Sequence, residues 1–300
     1  MVLIGASLWG ISGTVAQVLF QQEGFQAGWL VSIRLLFSGM LLLTLASLQK
    51  QTLSIWSIWK EPRDRFSIIL FGFAGLLGVQ YTYFAAIETG NATTATLLQF
   101  LGPAFITIFL ALRLRRWPKG KDLLALGLAM LGTFLLVTNG SLEGLTVSKA
   151  AVFWGLASAV TAAFYTLYPT GLIQRWGSTV IVGWGMTIGG VGLSMINPPW
   201  LVEGYRWSIY ALSLVLFVIL FGTLIAFYLY LDSLRFISPA EAGIMGSAEP
   251  LSAALMSVFW LHHTPGLFEM IGGICIIGTV FILSLQKEGS SASKMITKQG

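Results

Sequence analysis

The sequence predicts an all-α, polytopic membrane protein of ten transmembrane helices arranged as two inverted five-helix repeats. Three observations lead there. The composition is 56% hydrophobic and 10% charged, with a mean hydropathy of +0.81, whereas soluble domains carry about 25% charged residues. Ten apolar stretches are each long enough to cross hydrocarbon, which takes about 20 helical residues. Residues of the second half also repeat those of the first at an offset of 145 to 147 positions.

The first stretch, 2–20, begins directly at Met1 with no basic segment before it and no small-residue cleavage site after it, so it reads as a retained helix. The second, 28–47, carries Arg34 about 9 Å below one membrane edge by helical rise. The third and fourth, 66–87 and 92–112, are separated by a short Gly-Asn turn. The fifth and sixth, 122–139 and 150–170, flank a polar connection that divides the two halves. The seventh, 178–196, contains "GWGMTIGGVG", with Gly185 and Gly189 at GxxxG spacing, which suits close helix contact better than a nucleotide loop. The eighth, ninth and tenth are 208–233, 239–261 and 266–285. The resulting units are a first repeat over 1–140, a second over 141–286 and a polar tail over 287–300 whose Ser/Lys-rich composition predicts disorder.

The formal charge of +5 follows the topology. With the N-terminus inside, inner loops and tail hold 14 Lys and Arg, outer loops hold Lys149 and Arg206, and Arg34 lies within a span. This bias predicts that both termini are cytoplasmic. It also removes the case for nucleic acid as a partner, because the cations lie between apolar runs and form no single face. Cys275 is the lone cysteine, which excludes an internal disulfide and a cysteine metal cluster.

The repeat is legible residue by residue. At offset 147, Gly75 meets Gly222, Tyr81 meets Tyr228, Tyr83 meets Tyr230, Pro103 meets Pro250 and Pro118 meets Pro265. "LGTF" at 131–134 meets "IGTV" at 277–280, and "LWGISGTV" at 8–15 meets "FWGLASAV" at 153–160. Five is odd, so the second copy enters the membrane from the opposite face. This is the plan of many secondary transporters, which bind solute near the midplane between repeats.

Two five-span copies, the "LWG" and "FWG" starts of spans 1 and 6, and the "LGP" and "AEP" prolines of spans 4 and 9 resemble the EamA type of the drug/metabolite transporter superfamily over residues 1–285. The resemblance implies a ten-helix carrier in the cytoplasmic membrane of a bacterium, often an exporter of amino acids or related metabolites, and leaves the substrate open. The first copy has Gly102 where the second has Glu249, so the acidic residue occurs in one half only.

Pro250 lacks an N–H and withdraws the helical partner of the Gly246 carbonyl; Pro103 does the same to the carbonyl of Gln99. These two helix kinks fall at matching mid-depth positions, where broken backbone marks a carrier's site. Glu249 lies about 15 Å from the inner edge. A charge at that depth costs at least about 2.5 kcal/mol, so Glu249 is expected to face the interior, be protonated, or be paired. Arg34 either pairs or shares a polar cavity with it, or snorkels outward along its stem. Gln80, Tyr83 and Phe84 share one face of span 3, as do Thr96 and Gln99 of span 4. Trp9, Tyr165, Tyr168, Trp184, Tyr228 and Tyr230 could pack, sit in an interfacial belt or line an aromatic cavity.

The predicted activity is secondary transport of a small amphipathic solute by alternating access, with lipid around the chain and protons as a candidate coupling ion. The substrate-binding candidates are Glu249, Arg34, Gln80, Tyr83, Phe84, Thr96, Gln99, Trp9, Tyr165, Tyr228 and Gly246. No Walker motif, nucleophile–base set or metal-ligand spacing is present, so no enzyme activity, cofactor or metal is expected. A non-transporting scaffold or a lipid-handling protein is the alternative.

Overall fold

The computed structural model describes residues 1–48, 52–115, 120–140, 146–201, 205, 207–233 and 245–296. Every regular element among them is helical. In chain order they are α1 (Val2–Gln21), α2 (Ala27–Leu48), α3 (Thr52–Ser57), α4 (Pro62–Thr89), α5 (Ala92–Arg113), α6 (Gly120–Thr138), α7 (Lys149–Leu167), α8 (Thr170–Trp176), α9 (Ser178–Ser194), α10 (Ile209–Ile225), which continues as Ala226–Ser233, α11 (Ala248–Phe259) and α12 (Leu267–Ile296). A 3-10 turn, Ile58–Lys60, follows α3.

Among the described residues, six helices are long and apolar enough to cross a membrane: α1, α2, α4, α5, α6 and α7. Four shorter apolar helices, α9, α10, α11 and the Leu267–Leu283 part of α12, fall on the remaining apolar stretches. The architecture is that of a polytopic membrane protein. Residues 234–244, which include the start of the ninth expected span, lie outside the described residues. The last helix continues to Ile296, into the segment whose composition predicts disorder.

Several helix starts are set by local chemistry. Asn91 accepts from the Thr94 N–H at 2.8 Å, Ser148 from Ala151 at 3.1 Å and Ser208 from Ala211 at 2.9 Å. Each side chain satisfies an N–H that a first turn leaves free, and together they start α5, α7 and α10.

Packing crosses between the halves. α2 packs along α9, α6 along α12, α4 along α7, and α1 along α10 and α11. Between α6 and α12 the approach is backbone to backbone: a Cβ on Gly132 would stand 2.8 Å from the Gly272 carbonyl oxygen, and one on Gly272 would stand 2.7 Å from that of Gly132. Close approach through small residues is how helices gain dispersion energy where lipid offers no hydrophobic drive.

Two tryptophans hold the other half's connection. The Trp29 indole on α2 donates to the Pro199 carbonyl at 3.0 Å, and the Trp184 indole on α9 donates to that of Ile55 at 2.8 Å. Trp29 also packs with Phe25, Tyr205 and Trp207, and Trp184 with Trp56 and Trp59. Burial in the first cluster, and secondarily the nearby Glu88 carboxylate, raises the Tyr205 phenol above its ordinary pKa.

A polar clasp binds the start of α4 to the end of α8. Asp64, with a side chain only 3% exposed, accepts from Arg175 Nη1 at 2.8 Å and from the Trp176 indole at 2.8 Å. Arg175 is 59% exposed, so its pairing is largely screened. Asp64→Ala therefore lowers stability by about 1–3 kcal/mol, because the half-buried Trp176 N–H loses its acceptor. Arg175→Gln costs under about 1 kcal/mol. Thermal midpoints in detergent check the order; a larger loss for Arg175 contradicts it.

Candidate functional site

Both mid-chain prolines sit just after a helix break. In α5 the ladder stops after Gln99 and resumes at Gly102, with Pro103 in the first turn of the new segment. In the second half Ser247 interrupts the helix and α11 starts at Ala248, with Pro250 in its first turn. Phe100 and Ser247 are 147 positions apart, the offset of the sequence repeat. The prolines thus begin half-helices and do not bend continuous ones, which refines the expectation of kinks. Glu249 stands in the first turn of α11, where free N–H groups and the helix dipole favour negative charge.

α1 lies across this break. A Cβ on Gly10 would collide with the Glu249 carbonyl oxygen, and one on Gly13 would stand 2.6 Å from the Tyr83 hydroxyl. Only glycine lets α1 approach both. Arg34 reaches the same region from α2. It is 3% exposed, its guanidinium carbon lies 4.5 Å from the centre of the Phe84 ring, and Nη2 donates to the Gly222 carbonyl at 3.4 Å. Arg34 therefore does not snorkel. Its charge acts on Tyr83 and Glu249, yet no carboxylate oxygen of a described residue lies within ion-pair distance of it. Of the expected alternatives, the geometry is that of a shared polar interior and not of a direct pair. Arg34 Nε and the hydroxyls of Ser38 and Ser247 are buried without a protein partner.

Around this centre Tyr83 shares a hydrogen bond with Thr96 at 2.9 Å, and Thr96 donates to the Ala92 carbonyl at 2.8 Å. Trp9 packs against Phe227 and Tyr230 at 5.0 and 5.1 Å, and Tyr230 is in electrostatic reach of Glu249. Tyr165 stacks on Phe71 at 5.8 Å and is in electrostatic reach of Tyr230. Among the described residues, nothing lies within 4 Å of a Cβ added at Gly246.

Other candidates sit apart. Gln99 donates to Ser158 on α7 at 2.6 Å. Gln80 is buried without a side-chain hydrogen bond to any described residue. Trp184 is committed to the Ile55 carbonyl, and Tyr168 stacks on Phe164. The side chain of Tyr228 lies outside the described residues. Sequence reasoning missed Gly222, Ser38, Ser247 and Phe227. Only Gly222 carried a signal, its match to Gly75.

A separate polar cavity of about 400 Å³ lies where α1 and α11 end and α5 begins, lined by Gln17, Asn91, Ser257, His262 and His263 among others. Hydrogen bonds join the three helices beside it: Thr93 with Ser257 at 3.0 Å, Ala92 N–H to Gln17 at 2.8 Å and Thr14 to the Ala253 carbonyl at 3.5 Å. His263 pairs with Glu269 at 3.3 Å. Among the described residues, no group of three or more His, Cys, Asp or Glu is placed to hold a metal ion.

The model of the EamA-like transporter family matches this chain twice, over residues 1–138 and 149–285. The chain belongs to the EamA-like transporter family. A relative in Salmonella typhimurium, named as the uncharacterized inner membrane transporter YicL, is 40% identical over 287 residues, covering 95% of this chain and 94% of its own. The uncharacterized transporter YdfC of Bacillus subtilis is 23% identical over 86% of this chain and 82% of its own. A solved crystal structure 16% identical to this chain shares the fold, with a TM-score of 0.63 over 95% of each chain. The protein is a multi-pass transporter of the cell membrane, and its family marks it as a transporter and not an enzyme.

Proposed function

We propose that this EamA-family chain moves a small amphipathic metabolite, an amino acid or a related solute, out of the cell by alternating access. Ten spans form two inverted units, 1–140 and 141–286, with both termini cytoplasmic. Support for the repeat comes from the two family matches, the cross-half pairing of α2 with α9 and α6 with α12, and the reciprocal holds of Trp29 and Trp184.

One observation carries the reading of the site. Two half-helices follow breaks 147 positions apart, at Phe100 and Ser247, and the one that carries a carboxylate, Glu249, faces the interior reached by Arg34 and Tyr83. Half-helix starts near the midplane are where carriers of this plan hold solute. Trp9, Phe84, Tyr165 and Tyr230 supply apolar and ring surface, and Thr96, Gly246 and the freed backbone supply space and polarity. Glu249 either carries a coupling proton or holds a substrate amine.

Proteoliposomes loaded with a bacterial metabolite extract test this. Mass spectrometry is expected to find amphipathic amines or amino acids leaving faster than from protein-free vesicles. Flux that responds to an imposed pH gradient and loses that response in Glu249→Gln assigns the proton to Glu249; flux indifferent to a protonophore leaves it the amine. Release confined to other solute classes rejects the proposed substrate.

A further inference from the structure

Two helices depart from α-geometry at equivalent places. In α4, Phe71–Leu77 is π-helical, and the Gly78 N–H reaches the Phe73 carbonyl five residues back. In α10, Leu220–Ile225 is π-helical, and the Ala226 N–H reaches the Phe221 carbonyl, again five back. The two terminal bonds are 148 positions apart, within one residue of the repeat offset. Among the described helices no other segment has this geometry. A π turn holds one residue more than the α-helix needs, and such turns gather at functional places. An accident of packing would not be expected twice at matching positions in opposed environments.

The segments after each π turn carry the site. Tyr83 and Phe84 follow the first; Phe227 and Tyr230 follow the second. Arg34 touches both systems, lying over Phe84 downstream of the first turn and donating to the Gly222 carbonyl inside the second. Thr223 supports the second turn, since its hydroxyl donates to the Val218 carbonyl five residues back at 2.9 Å.

We infer that the paired π turns are the joints of the transport cycle: each passes its extra residue along the helix, and Arg34 links the two. The inference rests on the carrier reading above. Moving a helix by one residue turns its downstream face by about 100° and advances it by about 1.5 Å. In α4 that rotation carries Tyr83 away from Thr96 and Phe84 away from Arg34. In α10 it carries Tyr230 away from Trp9. The α parts before each turn, packed on their neighbours, stay in place. A site gripped on one side is then released toward the other without any helix unfolding. Arg34, bound at once to a ring of one helix and a carbonyl of the other, prevents the joints from moving independently.

Deleting a single residue inside a π turn restores α-geometry while leaving both flanks in register, so it removes the joint and little else. The test uses a Cys275→Ser background with Gly246→Cys as reporter, where an added Cβ meets no described residue within 4 Å. A membrane-impermeant thiosulfonate is applied to right-side-out and to inverted vesicles. The parent is expected to label from both faces. Deleting Ala74 or Leu224 is expected to lower labelling from one face at least about tenfold, a shift of roughly 1.4 kcal/mol in the balance of states. Deletion variants that label from both faces within about twofold of the parent overturn the joints and leave the carrier intact. A parent labelled from one face only removes the carrier reading and the joints with it. Should the deletions aggregate, hydrogen–deuterium exchange of the unmodified chain in nanodiscs decides. Amides of 71–77 and 220–225 are expected to exchange at least about tenfold faster than those of 62–70 and 209–219. Equal protection overturns the inference.

Discussion

Glu249→Gln is expected to lower transport at least about 30-fold while membrane expression and thermal midpoint stay near those of the parent. The amide keeps the size and hydrogen-bonding reach of the side chain, so the packing of α1 over the start of α11 is retained. What is lost is the capacity to carry charge. In the unmodified chain the carboxyl group shares its interior with Arg34, Tyr83 and Tyr230. Removing the carboxylate from a buried charge pair with a solute amine costs the bound solute about 2–5 kcal/mol, a loss felt in transport and not in the resting fold. At about 1.4 kcal/mol per decade this spans roughly 30- to 3,000-fold. Uptake and release by proteoliposomes, normalised to protein in the bilayer, measure it. Flux within threefold of the parent at equal reconstitution rejects a central role for the carboxylate.

Gly10→Val is expected to have the largest effect on assembly. The atoms that a side chain at Gly10 would meet are the Glu249 carbonyl oxygen and the Ala253 backbone nitrogen at 2.9 Å, together with the Ser252 Cβ at 3.0 Å. Backbone cannot rotate aside as a long side chain can, so α1 must lift from α11. Overpacking of this kind costs about 1–3 kcal/mol and sometimes more. Here it also disturbs the hydrogen bond from Thr14 to the Ala253 carbonyl one turn on. Gly127→Ala in α6 is the control: nothing lies within 4 Å of its Cβ, and replacing glycine in a helix is neutral or gains about 0.4–1 kcal/mol. Yield of monodisperse protein and thermal midpoint should fall for the first and hold for the second. Equal midpoints contradict the close approach.

The helical class and the membrane setting could be read from composition and run length because both reflect the solvent directly. The helix breaks were legible too. A proline tells the local backbone what it cannot do, and Pro103 and Pro250 stand within one turn of the interruptions at Phe100 and Ser247. Arg34 and Glu249 drew attention because ionisable groups at depth are costly. That they share an interior without touching depends on the crossing of α1, α2 and α11, which no local pattern encodes. Nothing in the sequence singled out Asp64, because its partners Arg175 and Trp176 lie more than a hundred positions away. The π turns left only one trace, the Gly75–Gly222 match, because an extra residue in a helix changes the hydrogen-bond register and not the hydropathy. Trp184, one of a group of aromatics whose spacing admitted a cavity lining, strengthens instead the connection near Ile55.

The reciprocal holds of Trp29 and Trp184 have a consequence for how the chain is made. Made by itself, each half has a ring with no carbonyl to hold and a connection with no ring to hold it. Residues 1–140 and 146–300, synthesised as separate polypeptides in one cell, should find each other in the bilayer, while either one made singly should fall to membrane proteases.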